Sequence, residues 1–270
     1  MSVNGAPRSV VLEVPVDRLT MGEVLGRVQE AIESRRPLQI GVVNAAKVVN
    51  MRRDAELREA VLGCDLILAD GMSVVWASRV LGPPIPERVA GIDLMHGILG
   101  LAHRRGHRLY CLGATPAVLD RALAAIRASY PDARIAGAHH GYFEASAEEA
   151  LAEGIRQAKP DVLLVAMTSP KKERFIARWG RTMDVPVVHG VGGSFDVLAG
   201  KVKRAPRLFQ RLGLEWLMRM LQEPRRLFTR YLVTNTVFVS LVLRQLLRGS
   251  AGLPPQGAGG SELGGNRTAR

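Results

Sequence analysis

Short apolar runs alternate with helical patterns along most of this chain of 270 residues, and that alternation constrains the fold more than any other feature. Several runs are apolar without interruption, as expected of parallel strands that helices cover on both faces. The pattern therefore predicts an α/β fold with a Rossmann-like, doubly wound, mostly parallel sheet. The predicted strands are Leu38–Asn44, Leu66–Ala69, Arg108–Leu112, Arg134–Ala138, Val162–Met167 and Val187–Gly190, with an outlying strand at Val10–Val14.

The chain changes character near Gly200, beyond which no strand pattern remains and two or three helices follow. Both ends of the chain are rich in small and polar residues and have the composition of flexible segments. We therefore predict four parts: a flexible N-terminus (1–7), an α/β core (8–200), a basic helical appendage (201–248) and a disordered tail (249–270).

Positive charge is concentrated in the predicted appendage. The chain has a formal net charge of +12, and between Lys201 and Arg248 there are eleven basic residues against two acidic ones. These basic residues are interleaved with a wide apolar arc, which is typical of a helix at a membrane interface. An ordinary solvated face beside an ordinary core face would have the same composition. The longest uncharged apolar run, Tyr231–Leu243, is too short to span a bilayer, and no secretory signal is predicted at the N-terminus.

Polar residues that directly follow strands are the first candidates for a site, because ligands of open parallel sheets bind at the carboxyl ends of the strands. Asn44 follows the first core strand, where it could hydrogen-bond a ligand or simply cap the next helix. Asp70 follows the next strand and fits either a general base or a helix N-cap. The sequence alone leaves both pairs of alternatives open.

Two further segments suggest an anionic ligand. Gly192 and Gly193 lie in a glycine-rich segment after the last strand, where the backbone could approach a phosphate closely. Lys171 and Lys172 stand at a predicted helix start, where positive charge opposes the helix dipole. A bound anion would relieve that conflict, although a solvated helix end is the plain alternative.

Taken together, these residues resemble the WecG/TagA/CpsF glycosyltransferases, glycosyltransferase family 26, from about Leu19 to Leu247. The matching segments are Ala69–Met72, Pro86–Met95, Leu112–Gly113, Gly141–Phe143, Pro170–Glu173, Gly190–Asp196, Gly200–Pro206, Leu214–Trp216 and Gln222–Arg226. The resemblance departs from the usual family pattern at two places. Where the family usually has Thr-x-Asn, this chain has Val42-Val43-Asn44. Where the family usually has Gly-x-Pro-Lys-Gln-Glu, this chain has Thr168–Glu173, so that Lys172 replaces a glutamine.

The resemblance implies an inverting transfer, without metal or cofactor, of a sugar from UDP to an undecaprenyl-diphosphate-linked sugar in cell-surface polysaccharide synthesis. N-acetylmannosamine or a related hexose is the implied sugar, with glucose or a uronic acid as alternatives. The implied location is cytoplasmic, peripheral on an anionic membrane at the inner face of the plasma membrane, and self-association into a homo-oligomer stays open. The implied site residues are Asp70 as catalytic base, Asn44, Arg88, Asp93, Gly113, Lys172, Gly192 and Gly193 for the donor, and Arg219, Arg225, Arg226 and Arg230 for the acceptor and membrane.

Two other function classes deserve comparison. A nicotinamide- or flavin-dependent oxidoreductase would share the fold class, but no G-x-G-x-x-G follows the first core strand. A nucleic-acid-binding protein would share the net charge, but no recognised nucleic-acid module is present, so no nucleic-acid partner is predicted. No DxD-like pair of carboxylates follows a strand, so no metal site is predicted either.

Overall fold

Strands and helices alternate in the computed structural model of this chain. It describes residues 5–206, 209–210, 213–222 and 224–247, apart from the side chains at 219, 222, 224–227 and 229–231. The strands are β1 Arg8–Val11, β2 Val14–Asp17, β3 Leu38–Val43, β4 Leu66–Ala69, β5 Arg108–Gly113, β6 Arg134–His139, β7 Val162–Ala166 and β8 Val187–Gly190. The helices are α1 Met21–Ser34, α2 Ala45–Met51, α3 Ala55–Leu62, α4 Met72–Leu81, α5 Gly91–Arg105, α6 Pro116–Ser129, α7 Glu148–Ala158, α8 Lys171–Trp179, α9 Ser194–Leu198, α10 Glu215–Gln222 and α11 Pro224–Leu247.

Six strands form one parallel sheet in the order β4-β3-β8-β7-β5-β6. The chain moves outward from β3 to β4 on one side and from β5 to β6 on the other, and β7 and β8 later fill the centre. The carboxyl ends of β4, β3 and β8 therefore lie next to one another. The predicted α/β fold with a Rossmann-like parallel sheet is confirmed.

Both faces of the sheet are buried, which explains the uninterrupted apolar runs in the sequence. Along β3, Ile40 and Val42 pack with α1 and α5 on one face, whereas Val43 packs with α2 and α4 on the other. Along β7 the same alternation assigns Leu164 to the first face and Leu163 to a cluster with α8. Helix starts follow local sequence signals, such as the capping box of Thr20 and Glu23 at α1.

The prediction of a single outlying strand at Val10–Val14 is wrong. The chain instead forms a hairpin in which β1 pairs antiparallel with β2 as a separate sheet. The turn falls at Leu12 and Glu13, whose φ angles are 50° and 69°. Two-residue hairpin turns need positive φ and are usually marked by glycine or asparagine, which are missing here, so the turn left no signal in the sequence.

The last helix packs against the α/β core. Phe238 and Thr234 of α11 are buried, and Phe238 joins the apolar cluster that α2 and α4 form on one face of the sheet. The opposite side of α11 is also apolar but exposed, with Leu232, Val239 and Leu243 each more than half exposed. Among the described helices, none has the length and apolar character needed to cross a membrane.

Candidate active site

Asn44 and Asp70 lie side by side where β3 and β4 end. The backbone N–H of Asp70 donates to the carbonyl oxygen of Val43 at 2.9 Å. The Asn44 side-chain oxygen accepts from the N–H of Lys47 at 3.0 Å, so Asn44 does cap α2. Gly71 allows this close approach, because a Cβ atom there would lie 3.1 Å from the Cβ of Asn44. The two predicted residues thus share one edge of the sheet.

The first turn of α5 orients the carboxylate of Asp70. Its Oδ1 accepts from the N–H of Gly91 at 2.8 Å, and the carbonyl oxygen of Gly91 faces Nε2 of the buried His189 at 3.0 Å. Asp70 is therefore not a cap of the helix that follows it: α4 has Gly71 at its N-cap and no side-chain cap. Within the described part of the chain, Oδ2 has no hydrogen-bond partner, and Asp70 is only partly buried. This oxygen is free to accept a proton from a bound hydroxyl group.

Burial lowers the pKa of His189 to about 4. An unfolded histidine titrates near 6.5, so between these two values the unfolded chain binds more protons than the folded one. The free energy of unfolding should then fall by up to about 3 kcal/mol as the pH drops from 6.5 to 4. We expect His189→Gln, which keeps a donor for Gly91, to flatten this fall in urea titrations at pH 7 and 5. The partly exposed His103→Gln is the control, and equal acid sensitivity of parent and His189→Gln would contradict the assignment.

Lys172 is buried together with two other charged side chains. The Nζ atoms of Lys47 and Lys172 lie 2.7 Å and 3.3 Å from the same oxygen of Glu173, Oε1. The stem of Lys172 passes under Gly190, where a Cβ atom would lie 2.8 Å from its Cδ and Cε atoms. With its side chain only 8% exposed, Lys172 is not a solvated helix end, so that alternative is wrong.

The close contacts in this cluster change its titration. Burial, followed by the charge of Lys47, lowers the pKa of Lys172 to about 8. Burial by itself would raise the pKa of Glu173, but Lys172 and Lys47 together lower it to about 2. At neutral pH the cluster therefore holds an ionised glutamate between two lysines, one of which titrates near the physiological range.

The three predicted glycines occupy loops at the carboxyl edge of the sheet. Gly113 ends β5 with φ +127°, and a Cβ atom there would collide with the backbone of Ala166 at the end of β7. Gly192 has φ +54°, in the left-handed region that favours glycine, and Gly193 precedes α9. Gly113 on β5 and the two glycines after β8 flank the end of β7, and Gly113 lies three strands away from β3.

Arg88 and Asp93 belong to a network of four charged side chains. Asp93 pairs with both terminal nitrogens of Arg204, at 2.7 Å and 2.8 Å, and lies 3.6 Å from Arg88. Glu215 accepts from Arg88 and, at 3.3 Å, from Arg204. Arg204 and Glu215 lie in segments that match the family pattern, but neither was predicted to belong to the site. The network ties the start of α5 to the start of α10, so it joins the core to the appendage.

The predicted acceptor-binding arginines lie on the last two helices. The backbone of Arg219 belongs to α10, and the backbones of Arg225, Arg226 and Arg230 belong to α11. Their side chains lie outside the part of the chain that the structure describes. Their proposed contact with a lipid diphosphate stays a prediction.

Comparison with known proteins gives two findings. The sequence profile of a family described as "Glycosyl transferase WecG/TagA/CpsF family" matches residues 9–252. The chain is also similar to the N-acetylglucosaminyldiphosphoundecaprenol N-acetyl-beta-D-mannosaminyltransferase of Bacillus spizizenii (strain ATCC 23059 / NRRL B-14472 / W23). The two are 37% identical over 187 residues, which cover 69% of this chain and 71% of that relative.

Proposed function

This chain belongs to the WecG/TagA/CpsF family of glycosyltransferases, and on that premise we propose that it transfers N-acetylmannosamine from UDP to N-acetylglucosaminyl-diphosphoundecaprenol. The acceptor and the sugar are those in the name of the Bacillus relative. The chemical part of the proposal rests on the carboxylate of Asp70: Gly91 orients one of its oxygens, and the other has no hydrogen-bond partner among the described residues. UDP-glucose or a UDP-uronic acid is the alternative donor.

The proposed step is a single displacement. A hydroxyl oxygen of the acceptor sugar attacks the anomeric carbon of the donor, and Asp70 takes the proton of that hydroxyl through Oδ2. The bond between the anomeric carbon and the diphosphate oxygen breaks, and its electron pair leaves with UDP. Because the new bond forms on the face opposite the leaving group, the anomeric configuration is inverted.

The leaving diphosphate needs compensation for its negative charge. We propose that Lys172, beneath Gly190, and the backbone amide of Gly193 provide it on one side of the donor. Gly192, whose own N–H donates to the carbonyl oxygen of Val165 at 3.3 Å, would shape the turn that the donor approaches. Asn44, which directly follows β3, and Arg88, in the segment before α5, would contact other polar groups of the donor. Asp93 and Gly113 complete the proposed donor-binding set, Asp93 by holding Arg88 and Arg204 in place.

The appendage is proposed to bring the enzyme to its lipid acceptor. Its net positive charge suits an anionic membrane, and the exposed apolar side of α11 adds an area that lipid could cover. The enzyme would then act from the cytoplasm, peripheral on the inner face of the plasma membrane. A homo-oligomer formed through the same exposed side of α11 is the alternative use of this surface.

A screen of UDP-sugars against a short-chain analogue of the acceptor tests the proposed reaction. Transfer from UDP-N-acetylmannosamine should exceed transfer from the other donors, with the product identified by mass and its anomeric configuration by NMR. Preference for UDP-glucose or a UDP-uronic acid would replace the proposed donor. A product that retains the donor's configuration would exclude the single displacement.

Activity is expected to persist in an excess of a metal chelator, because protein cations and amides are proposed to stabilise the leaving diphosphate. Initial rates should stay within about twofold of the untreated enzyme, which is small against the loss that removal of a catalytic metal causes. The same assay with added magnesium or manganese is the control. Complete loss in chelator, restored by either ion, would overturn metal-independent transfer.

A further inference from the structure

The buried cluster of Lys47, Lys172 and Glu173 carries more positive than negative charge. The three side chains are 10%, 8% and 7% exposed, and both ammonium groups face one carboxylate oxygen. The other oxygen of Glu173, Oε2, is buried and has no hydrogen-bond partner in the described residues. A buried surplus of charge is costly unless another charged group compensates it.

Little solvent is available to compensate this charge. A cavity of about 20 Å³ lies between the two lysines and is lined by Glu173, Cys64 and Gly41. A space of that size holds about one water molecule. Contact of the three charged groups with bulk water is limited by the burial of their side chains.

Lys172 is the member of the cluster that reaches the edge of the sheet. Its Nζ lies 3.3 Å from the position of a Cβ atom at Gly190 and 3.9 Å from that of one at Gly192, directly beneath the turn. Besides Lys47 and Glu173, the charge of Asp70 affects the pKa of Lys172. The charge of Lys172 in turn affects the pKa values of His189 and Cys64. Burial keeps His189 and Cys64 neutral near pH 7. The negative charge of Asp70 favours the protonated lysine and so compensates part of its charge. An anion bound above the turn would add to this compensation.

We propose that Lys47 and Glu173 are positioning residues that hold the Lys172 ammonium beneath the Gly190–Gly192 turn and set the pH range in which it is charged, so that the donor's diphosphate binds there more tightly to the protonated lysine than to the neutral one. This inference rests on the proposed UDP-sugar donor. Lys47 and Glu173 would affect the affinity for the donor through Lys172, with which they share the buried cluster, and they do so because a lysine occupies position 172.

The two positioning residues should shift the titration of Lys172 in opposite directions. Glu173 favours the charged amine, so its removal should make Lys172 lose its proton at a lower pH. Lys47 is a like charge that disfavours the charged amine, so its removal should let Lys172 keep its proton to a higher pH. A residue with only a structural role would weaken binding without such an ordered pair of shifts.

The test is the dissociation constant of UDP, measured by calorimetry at half-unit steps from pH 7 to 10. This range lies above the second phosphate ionisation, near pH 6, so the diphosphate does not change its charge. The same titration of Lys172→Met corrects for ionisation of the uracil ring in the alkaline part of the range. For the parent, affinity should begin to fall near pH 8, where Lys172 loses its proton. The onset should move down by about one pH unit in Glu173→Gln and up by about one in Lys47→Met, the usual effect of a neighbouring charge. Lys172→Met should remove the fall and weaken binding at pH 7 by about tenfold.

Lys171→Met is the matched control, because Lys171 lies on the same helix but contacts the Gly141 carbonyl and the Phe143 ring instead of the cluster. Its onset should stay at the parent value. Lys47→Gln replaces Lys47→Met if circular dichroism shows the latter to be unfolded. Onsets that stay fixed, or that move in the same direction in both cluster variants, would overturn the inference while leaving the proposed donor intact. No binding of UDP to the parent at any pH would instead contradict the proposed function.

Discussion

Replacing Asp70 by asparagine is expected to lower the turnover number by about two to four orders of magnitude, the usual contribution of a positioned general base. Asparagine keeps an oxygen that can accept from the N–H of Gly91, now at 2.8 Å from Oδ1, so the local structure should survive. What it loses is the ability to take a proton. Initial rates of transfer to the acceptor analogue, at saturating donor and acceptor, provide the measurement.

A control variant should replace an aspartate that lies outside the site. Asp120 is exposed on α6 and serves that purpose, so Asp120→Asn should keep the parent's turnover. The dissociation constant of UDP should change little in Asp70→Asn, because the lost proton transfer belongs to the chemical step rather than to donor binding. Near-normal turnover of Asp70→Asn would remove Asp70 from the role of base.

Removing the chain after Gly200 is expected to abolish both transfer to a lipid-linked acceptor and binding to anionic liposomes. The lost segment supplies most of the net positive charge and the exposed apolar side of α11. It also supplies Phe238, which is buried against α2 and α4, and deletion of a buried phenylalanine side chain costs about 3 to 5 kcal/mol. The truncated chain is thus also expected to be less stable, so its loss of activity alone would not identify the cause.

A triple replacement of Arg219, Arg226 and Arg230 by alanine separates the two effects, because it leaves Phe238 in place. Each basic group near an anionic surface contributes about 1 kcal/mol, so three together should weaken liposome binding by roughly a hundredfold at low salt. The loss should shrink as salt screens the surface. Acceptor use should fall more than UDP binding does.

The matched control removes three exposed arginines from helices of the core, Arg121, Arg127 and Arg178, and should leave flotation with liposomes unchanged. If the control triple variant loses as much binding as the appendage variant, net charge alone explains the result. If the appendage variant floats and transfers sugar as well as the parent, the appendage has no role in docking.

Family membership confirms the function class that the resemblance implied. The fold alone would have suited an oxidoreductase, and the net charge alone would have suited a nucleic-acid-binding protein. The family profile spans residues 9–252, which includes both the α/β core and most of the basic appendage. The charge and the fold therefore belong to one glycosyltransferase, and the same positive segment that suggested a polyanion is proposed to meet a lipid surface.

The sequence by itself determined the parallel α/β core and the placement of two polar residues at its edge. Apolar runs without interruption are typical of strands covered on both faces, and a residue that follows such a strand lies at the carboxyl edge. Asn44 and Asp70 could therefore be assigned to one edge without knowledge of the strand order. These are local signals, since each depends on only a few consecutive residues.

Only the tertiary structure decided which of these residues meet. The strand order puts β8 beside β3, and that neighbourhood brings His189 to Gly91 and Lys172 under Gly190. The burial of Lys172 could not be predicted, because Lys47, its fellow member of the cluster, comes from a helix more than a hundred residues earlier in the chain. Long-range contacts depend on how elements pack, and the periodicity of a sequence records only the face that each element buries. The same reason explains why Glu215 was not recognised as the partner of Arg88, since their ion pair joins two parts of the chain that sequence patterns describe separately.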